Sequence, residues 1–473
     1  MADVLDVERE VLEREEQRRR FDRLAELVGE RKFVELRVEL MKLEVADLAD
    51  AVIELSMEDE AVIFRLLPRE QATATFEYLP LEAQEELLKA MGDIEVANIL
   101  NDMSADDRTA LLEELPAKVT RGLLNLLSPE ERRIASQLLG YPESSIGRLM
   151  TPDYVAVKQH WTVEQVLAHI RKFGRDRETL NVVYVLDEHG MLIDDIRIRE
   201  LLLVDPSTRV EDLSDRHYIA LRATDDQETA VALFRKHDRV AFPVIDAAGF
   251  LLGIVTVDDV LDVAEEEATE DIQKLGGSEA LDEPYLDVSV PMMVRKRVTW
   301  LILLLFGEML TASAMAFFEE ELASAIVLAV FIPLIISSGG NSGSQAATLV
   351  TRAIALGEVT IADWWRVAYR ELASGLTMGI ILGVIGFIRV SLWARIFNVY
   401  GPHWFEVAIT IGLSLIGVVL WGCVTGSMLP LILKRLGADP ATSSAPFVAT
   451  LVDVTGIVIY FSVASAVLGG KLF

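Results

Sequence analysis

The 473-residue chain carries 74 acidic and 44 basic side chains, a net charge of −30, and an acidic surface of that kind repels nucleic acid while attracting cations. A lone cysteine, Cys423, excludes an intrachain disulfide framework and a thiolate zinc cluster, and the six histidines show no HExxH spacing. Residues 1–290 hold 64 acids and 33 bases whereas 291–473 hold 10 and 11, so an acidic soluble half precedes a nearly neutral membrane half. The acidity fits cation binding, and it equally fits a solubilising surface. Met1 is followed by acidic residues with no apolar core, so no cleaved signal peptide is expected.

Between Leu43 and Leu127 an apolar-then-breaker pair recurs every twelve residues, as in Leu55-Ser56, Leu67-Pro68, Leu79-Pro80, Met91-Gly92, Met103-Ser104 and Leu115-Pro116. Ser, Pro and Gly there suit helix starts, so residues 1–140 are expected to stack short helices of about eight to ten residues into a solenoid.

Residues 141–205 and 206–265 read as a tandem duplication. The first copy has Tyr154-Val-Ala-Val, then Val182-Val-Tyr-Val-Leu-Asp187-Glu-His-Gly190; the second has Tyr218-Ile-Ala-Leu, then Ala241-Phe-Pro-Val-Ile-Asp246-Ala-Ala-Gly249. Strand, helix, strand, Gly turn, strand and helix make an α+β module whose copies would pair. The pattern resembles a tandem pair of CBS domains. That resemblance implies adenine-nucleotide binding through a Thr-x-x-Asp segment, which Thr256 to Asp259 supplies and Ile196 to Glu200 does not. His189 and His237 read as solvated or capping side chains.

The stretch 266–297 is an acidic linker. On a helix Asp262, Glu266 and Glu270 stack at i, i+4 spacing beside a row of Glu267 and Asp271, a repulsion of about 0.2–0.5 kcal/mol per pair. Either solvent screens it or a divalent cation relieves it. Gly276-Gly277 marks a hinge before Pro284 and Pro291.

Five apolar runs follow in 298–473: Val298 to Phe318, Ala323 to Val350, Leu372 to Trp393, Val407 to Leu433 and Pro446 to Leu468. Each reaches the roughly 20 residues of a spanning helix. Arg295, Lys296, Arg297, Arg352, Arg366, Arg370, Lys434 and Arg435 fall on one side and Arg395 and Lys471 on the other. The acidic half is therefore expected in the cytoplasm and the C-terminus outside. The fold class is a multidomain membrane protein: an all-α helical-repeat N domain, α+β repeats, a linker helix and five spans.

In the second run, Ser337-Ser338-Gly339-Gly340-Asn341-Ser342-Gly343-Ser344-Gln345 either lets helices approach closely or lines a wet path. In the last run Asp453 interrupts apolar sequence, at about 2.5–3.5 kcal/mol for a charge at mid-membrane. Together they point to a pore lined by Gly340, Asn341, Ser344, Thr348 and Thr450. Oxygen lining without His or Cys suits a hard cation such as Mg²⁺. Glu308 either faces the same path or sits as an interfacial acid. Glu319 to Glu321 gather cations or belong to a solvated outer loop.

An acidic helical domain, two CBS modules, an acidic linker and five spans with Gly339-Gly340-Asn341-Ser-Gly-Ser-Gln345 and Leu451-Val-Asp453-Val-Thr-Gly456 resemble the MgtE family of bacterial magnesium channels. The resemblance implies a homodimer in the cell membrane with its pore between the second and fifth spans, Asp453 as pore ligand, and backbone near Ala449 and Gly456 lining the same site. It also implies regulatory Mg²⁺ at Asp226, Glu228, Asp238, Asp259, Asp262, Glu267, Glu270, Asp271 and Asp439, with Asp106 in the helical domain. Ala74 and Ala110 stand where the family has further acids. The expected activity is Mg²⁺ uptake shut by cytosolic Mg²⁺, with ATP as a second ligand. The alternative is a gradient-coupled transporter of Mn²⁺ or Co²⁺. No nucleophile elbow, Walker loop or strand-following GxGxxG points to an enzyme.

Overall fold

The computed structural model describes residues 19–53, 55, 57–281, 285–286, 288–319, 326–397 and 399–468. Pro284, Glu320, Glu321 and Lys471 lie outside the described residues. The chain divides between Ala264 and Glu265 into two compact units.

In the first unit the breaker periodicity becomes helix periodicity. After α1 (Phe33–Leu40) come α2 (Val45–Ile53), α3 (Met57–Leu66), α4 (Arg69–Glu77), α5 (Leu81–Ala90), α6 (Asp93–Asp102), α7 (Ala105–Glu114), α8 (Ala117–Leu124) and α9 (Pro129–Leu138). From α2 onward every start falls twelve residues after the last. Ser104 and Ser128 cap α7 and α9 by accepting from the amides of Asp107 and Glu131, and Pro68, Pro80 and Pro116 precede α4, α5 and α8. Helices two places apart pack together, α2 on α4, α3 on α5, α4 on α6 and α7 on α9, which is how a solenoid buries its core. Leu36, Leu48, Ile63, Phe76, Leu87 and Leu100 form that core.

The short α10 (Ile146–Leu149) leads into the duplicated modules. The first contains β1 (Ala156–Lys158), α11 (Val163–Phe173), β2 (Val182–Leu186), β3 (Leu192–Arg197), α12 (Ile198–Leu203) and α13 (Val210–Leu213). The second contains β4 (Leu221–Arg222), α14 (Gln227–His237), β5 (Ala241–Ile245) and β6 (Leu251–Thr256). Each sheet has the same pairing, a parallel first pair and an antiparallel second pair. The turns match atom for atom: Asp187 Oδ1 accepts from the amides of His189 and Met191, and Asp246 Oδ1 from those of Ala248 and Phe250. Gly190 and Gly249 follow at φ +90° and +94°, where a side chain would be strained. The first strands are shorter than the sequence implies. Tyr154 leaves the ladder to pack edge-on against Tyr184, with ring centroids 6.0 Å apart.

α15 (Val257–Leu275) begins directly after β6, so the Thr256 to Asp259 segment opens the same helix that carries the linker acids. In the second unit α16 (Val290–Phe317), α17 (Ile332–Ala355), α18 (Trp364–Phe397), α19 (Trp404–Arg435) and α20 (Ala445–Leu468) are five helices long and apolar enough to span a membrane. A 3₁₀ segment, Ile326–Phe331, precedes α17, whose Pro333 sits in the first turn where its missing N–H leaves no gap. These helices run past the apolar stretches because their ends carry Arg295 to Arg297, Arg352 and Lys434-Arg435.

α19 is the hub, packed on α17, α18 and α20. Its Gly422 and Gly426 abut the backbone carbonyls of Gly339 and Gly343 so closely that neither has room for a Cβ, the close approach that small residues allow in membranes. Gly426→Val should therefore force α17 and α19 apart, lowering stability by about 1–3 kcal/mol or more. The melting temperature of the purified protein in detergent measures it; an unchanged value would exclude the contact.

Candidate functional site

α17 has distinct faces. Gly339 and Gly343, one helical turn apart, pack on α19. The neighbouring row turns to α20: a Cβ on Gly340 would lie 3.4 Å from Ala449 Cβ and 3.6 Å from Asp453 Oδ1, and Ser344 Oγ donates to the Ala445 carbonyl at 3.0 Å. As Gly340 pairs with Ala449 and Ser344 with Ala445, the two helices run antiparallel. Asn341 and Thr348 remain exposed in the protomer.

The hydroxyls here donate inward. Thr348 Oγ1 donates to the Ser344 carbonyl at 2.9 Å and Thr450 Oγ1 to the Pro446 carbonyl at 3.0 Å. A hydroxyl that donates to its own helix presents oxygen lone pairs outward, the polarity a cation needs. Asp453 is half-buried beside this surface. Gly456 is separated from it, buried with its Cα facing Val418. From the other side α16 brings Glu308, whose carboxyl lies within side-chain hydrogen-bonding range of Asp453. Among the described residues no Lys, Arg or His forms an ion pair with either acid.

At the linker, Lys274 pairs with Glu270 and with Asp439, whose Oδ2 is 2.7 Å away. Burial acts to lower the Lys274 pKa, but its hydrogen bonds to Asp439 and Glu270 outweigh that and raise it. Asp439 also accepts from the amide of Ala441 at 2.8 Å. Burial, then the Asp439 charge, raises the Asp271 pKa. Two of the expected Mg²⁺ positions thus already share an ammonium.

In the first unit acids from three modules crowd together. Asp106, only 7% exposed, is raised to about 6 by burial and then by Asp107. Asp259 is raised to about 8 by burial and by Asp106, against a 2.5 Å hydrogen bond from Thr256 Oγ1. Glu178 and Glu77 are each pushed up to about 7, by burial first; Asp106, Asp258 and Asp107 then add to Glu178, and Asp107 and Asp106 to Glu77. The doublets Asp106-Asp107 and Asp258-Asp259 are visible in the sequence, although the resemblance marks only Asp106 and Asp259. Glu77 and Glu178 carried no signal, because separate elements bring them there.

Asp226 caps α14, accepting from the Glu228 amide at 2.9 Å, and Asp238 ends the same helix at φ +46°. All three are exposed, and Asp226 and Asp238 stand at opposite ends of α14, so they do not converge within one chain. Asp262 is exposed and Glu267 half-buried on α15. Among the described residues no three His, Cys, Asp or Glu side chains stand at metal-holding distance. A cavity of about 240 Å³ lies among Tyr154, Ala156, His169, Phe173 and Arg177, and Thr256 and Asp259 do not line it.

Family models match three parts of the chain: a divalent cation transporter model, MgtE, at residues 332–463, the MgtE intracellular N domain at 43–144, and the CBS domain at 146–207 and 210–266. The chain is 39% identical over 437 residues to the magnesium transporter MgtE of Thermus thermophilus, covering 92% of this chain and 95% of that one. It is 31% identical over 434 residues to the magnesium transporter MgtE of Bacillus subtilis, covering 89% and 94%. A crystal structure of the soluble part of a magnesium transporter aligns with a TM-score of 0.51 at 28% identity, covering 53% of this chain and 99% of that one.

Proposed function

From the premise that this chain belongs to the MgtE family of divalent cation transporters, we propose that it is a multi-pass Mg²⁺ channel, closed by cytosolic Mg²⁺. The observation that carries the reading is Asp453, an intramembrane carboxylate without a basic partner among the described residues, set against the oxygen-rich row of α17. Mg²⁺ keeps most of its water, so one carboxylate per subunit with outward-facing oxygens is a fitting guide. Two copies across a dimer axis double the field.

Closure follows from the acids of the cytoplasmic unit. Burial and mutual repulsion leave Asp106, Asp259, Glu178 and Glu77 short of positive charge, and Mg²⁺ binding reverses that repulsion. The linker acids Asp262, Glu267, Glu270 and Asp271, with Asp439, extend the sensor, and Asp226, Glu228 and Asp238 join it across the dimer. The acidic half then faces the cytoplasm of a bacterial cell and the C-terminus lies outside. ATP is a second ligand, held through Thr256 and Asp259, whose side chains hydrogen-bond to each other at the start of α15. A second reading, gradient-coupled transport of Mn²⁺ or Co²⁺, is favoured by one observation, the additional intramembrane carboxylate of Glu308.

Flux into liposomes tests both. The reconstituted protein should pass Mg²⁺ down its own gradient at equal pH and equal Na⁺ on the two sides, and stop when Mg²⁺ is raised on the cytoplasmic face. Flux that requires a proton or Na⁺ gradient overturns the channel; flux indifferent to cytoplasmic Mg²⁺ overturns the gating.

A further inference from the structure

α16 and α20 rise side by side, and their contacts are in register. Trp300 Nε1 donates to Ser444 Oγ at 3.0 Å and its ring lies 6.1 Å from that of Phe447. Further along, Gly307 abuts Thr450 so closely that a Cβ there would collide with the Thr450 methyl. At the next step Glu308 meets Asp453. The chain thus climbs eight residues from 300 to 308 on one helix and nine from 444 to 453 on the other, about 12 Å and about 13.5 Å at 1.5 Å per residue. Both carboxylates therefore reach the same depth.

Glu308 lies near the middle of α16, about ten residues from each end of its apolar stretch, and is exposed in the protomer. A carboxylate there faces water, a cation or a partner rather than lipid. Its neighbour is the pore acid itself, and no basic side chain among the described residues pairs with either. We infer that Glu308 is a further residue of the ion path, supplied by the first span, and that it sets the preference for divalent over monovalent cations. The inference rests on the assignment of the path to Asp453. The physical reason is direct: a fixed negative charge acts twice as strongly on Mg²⁺ as on Na⁺, so removing it lowers their ratio and not only the total flux.

The test measures Mg²⁺ and Na⁺ flux in liposomes at equal pH on both sides for wild type, E308Q, E308A, E308D and D453N. Gln keeps the shape of the side chain and Ala removes it, so a change common to both reports the charge, whichever folds better. The Mg²⁺:Na⁺ ratio should fall by about tenfold or more in E308Q and E308A and recover in E308D. A wild-type ratio in E308Q or E308A, even with reduced total flux, would mean that Glu308 only packs, and the inference fails. D453N inactive beside E308Q of wild-type ratio overturns Glu308 alone; D453N at wild-type flux overturns the path and the inference with it.

Discussion

Asp453→Asn is expected to lower Mg²⁺ flux in liposomes by about 100-fold or more. Asn has the size and hydrogen-bonding reach of Asp, so the close approach to Gly340 survives and only the charge is lost. One unit charge about 4 Å from another contributes roughly 4 kcal/mol at an effective dielectric of 20. A hydrated Mg²⁺ stands further away but carries two charges, and every 1.4 kcal/mol is about a factor of ten in occupancy. Asp453→Glu keeps the charge and moves it outward by one methylene, so it should retain part of the flux. Wild-type flux in the Asn variant, with an unchanged elution profile, would sink the pore assignment.

The second large effect is on pH and Mg²⁺ together. Asp106, Glu178, Glu77 and Asp259 all carry folded-state pKa values above those of an unfolded carboxylate, at about 6, 7, 7 and 8. A carboxyl raised in this way binds its proton more tightly in the folded state. Its stabilising contribution is complete below about pH 4 and is lost as the pH rises through 6 to 8. For Asp106 alone the shift from 3.8 to about 6 corresponds to about 3 kcal/mol. In chelator, the first unit of the full-length protein should therefore open more readily at pH 8 than at pH 5. Hydrogen exchange around residues 100–110 and 175–180, corrected for intrinsic rates, reads that difference. Adding Mg²⁺ at pH 8 should restore protection, and Asp106→Asn should flatten the pH dependence. Protection that rises from pH 5 to 8, or ignores Mg²⁺, contradicts the picture.

What the sequence made legible follows from where the physics is local. A breaker every twelve residues sets a helix start every twelve residues, because capping and proline geometry act within one turn. The five spans are readable because hydrophobicity is additive along a helix, and Asp453 because a charge in an apolar run has no local excuse. The polar run of the second span was ambiguous between packing and lining, and its small residues pack on two sides: Gly339 and Gly343 on α19, Gly340 and Ser344 on α20. The four-residue spacing separates those rows, although it does not say which neighbour each row meets. Glu178 could not be found from sequence at all, since its proximity to Asp106 and Asp258 is made by folding. The same holds for Lys274, an ordinary linker lysine until Asp439, 165 residues later, comes beside it.

The even stacking of the helical array makes its length quantised. Since helices of the array rest on those two places along, as α2 does on α4 and α3 on α5, and each step is twelve residues, removing one step would hand every later helix to the opposite column. Removing two steps, 24 residues, returns each helix to its own column. Related chains of different length in this domain should differ by whole pairs of helices, and an insertion of any other size belongs in the turns between them.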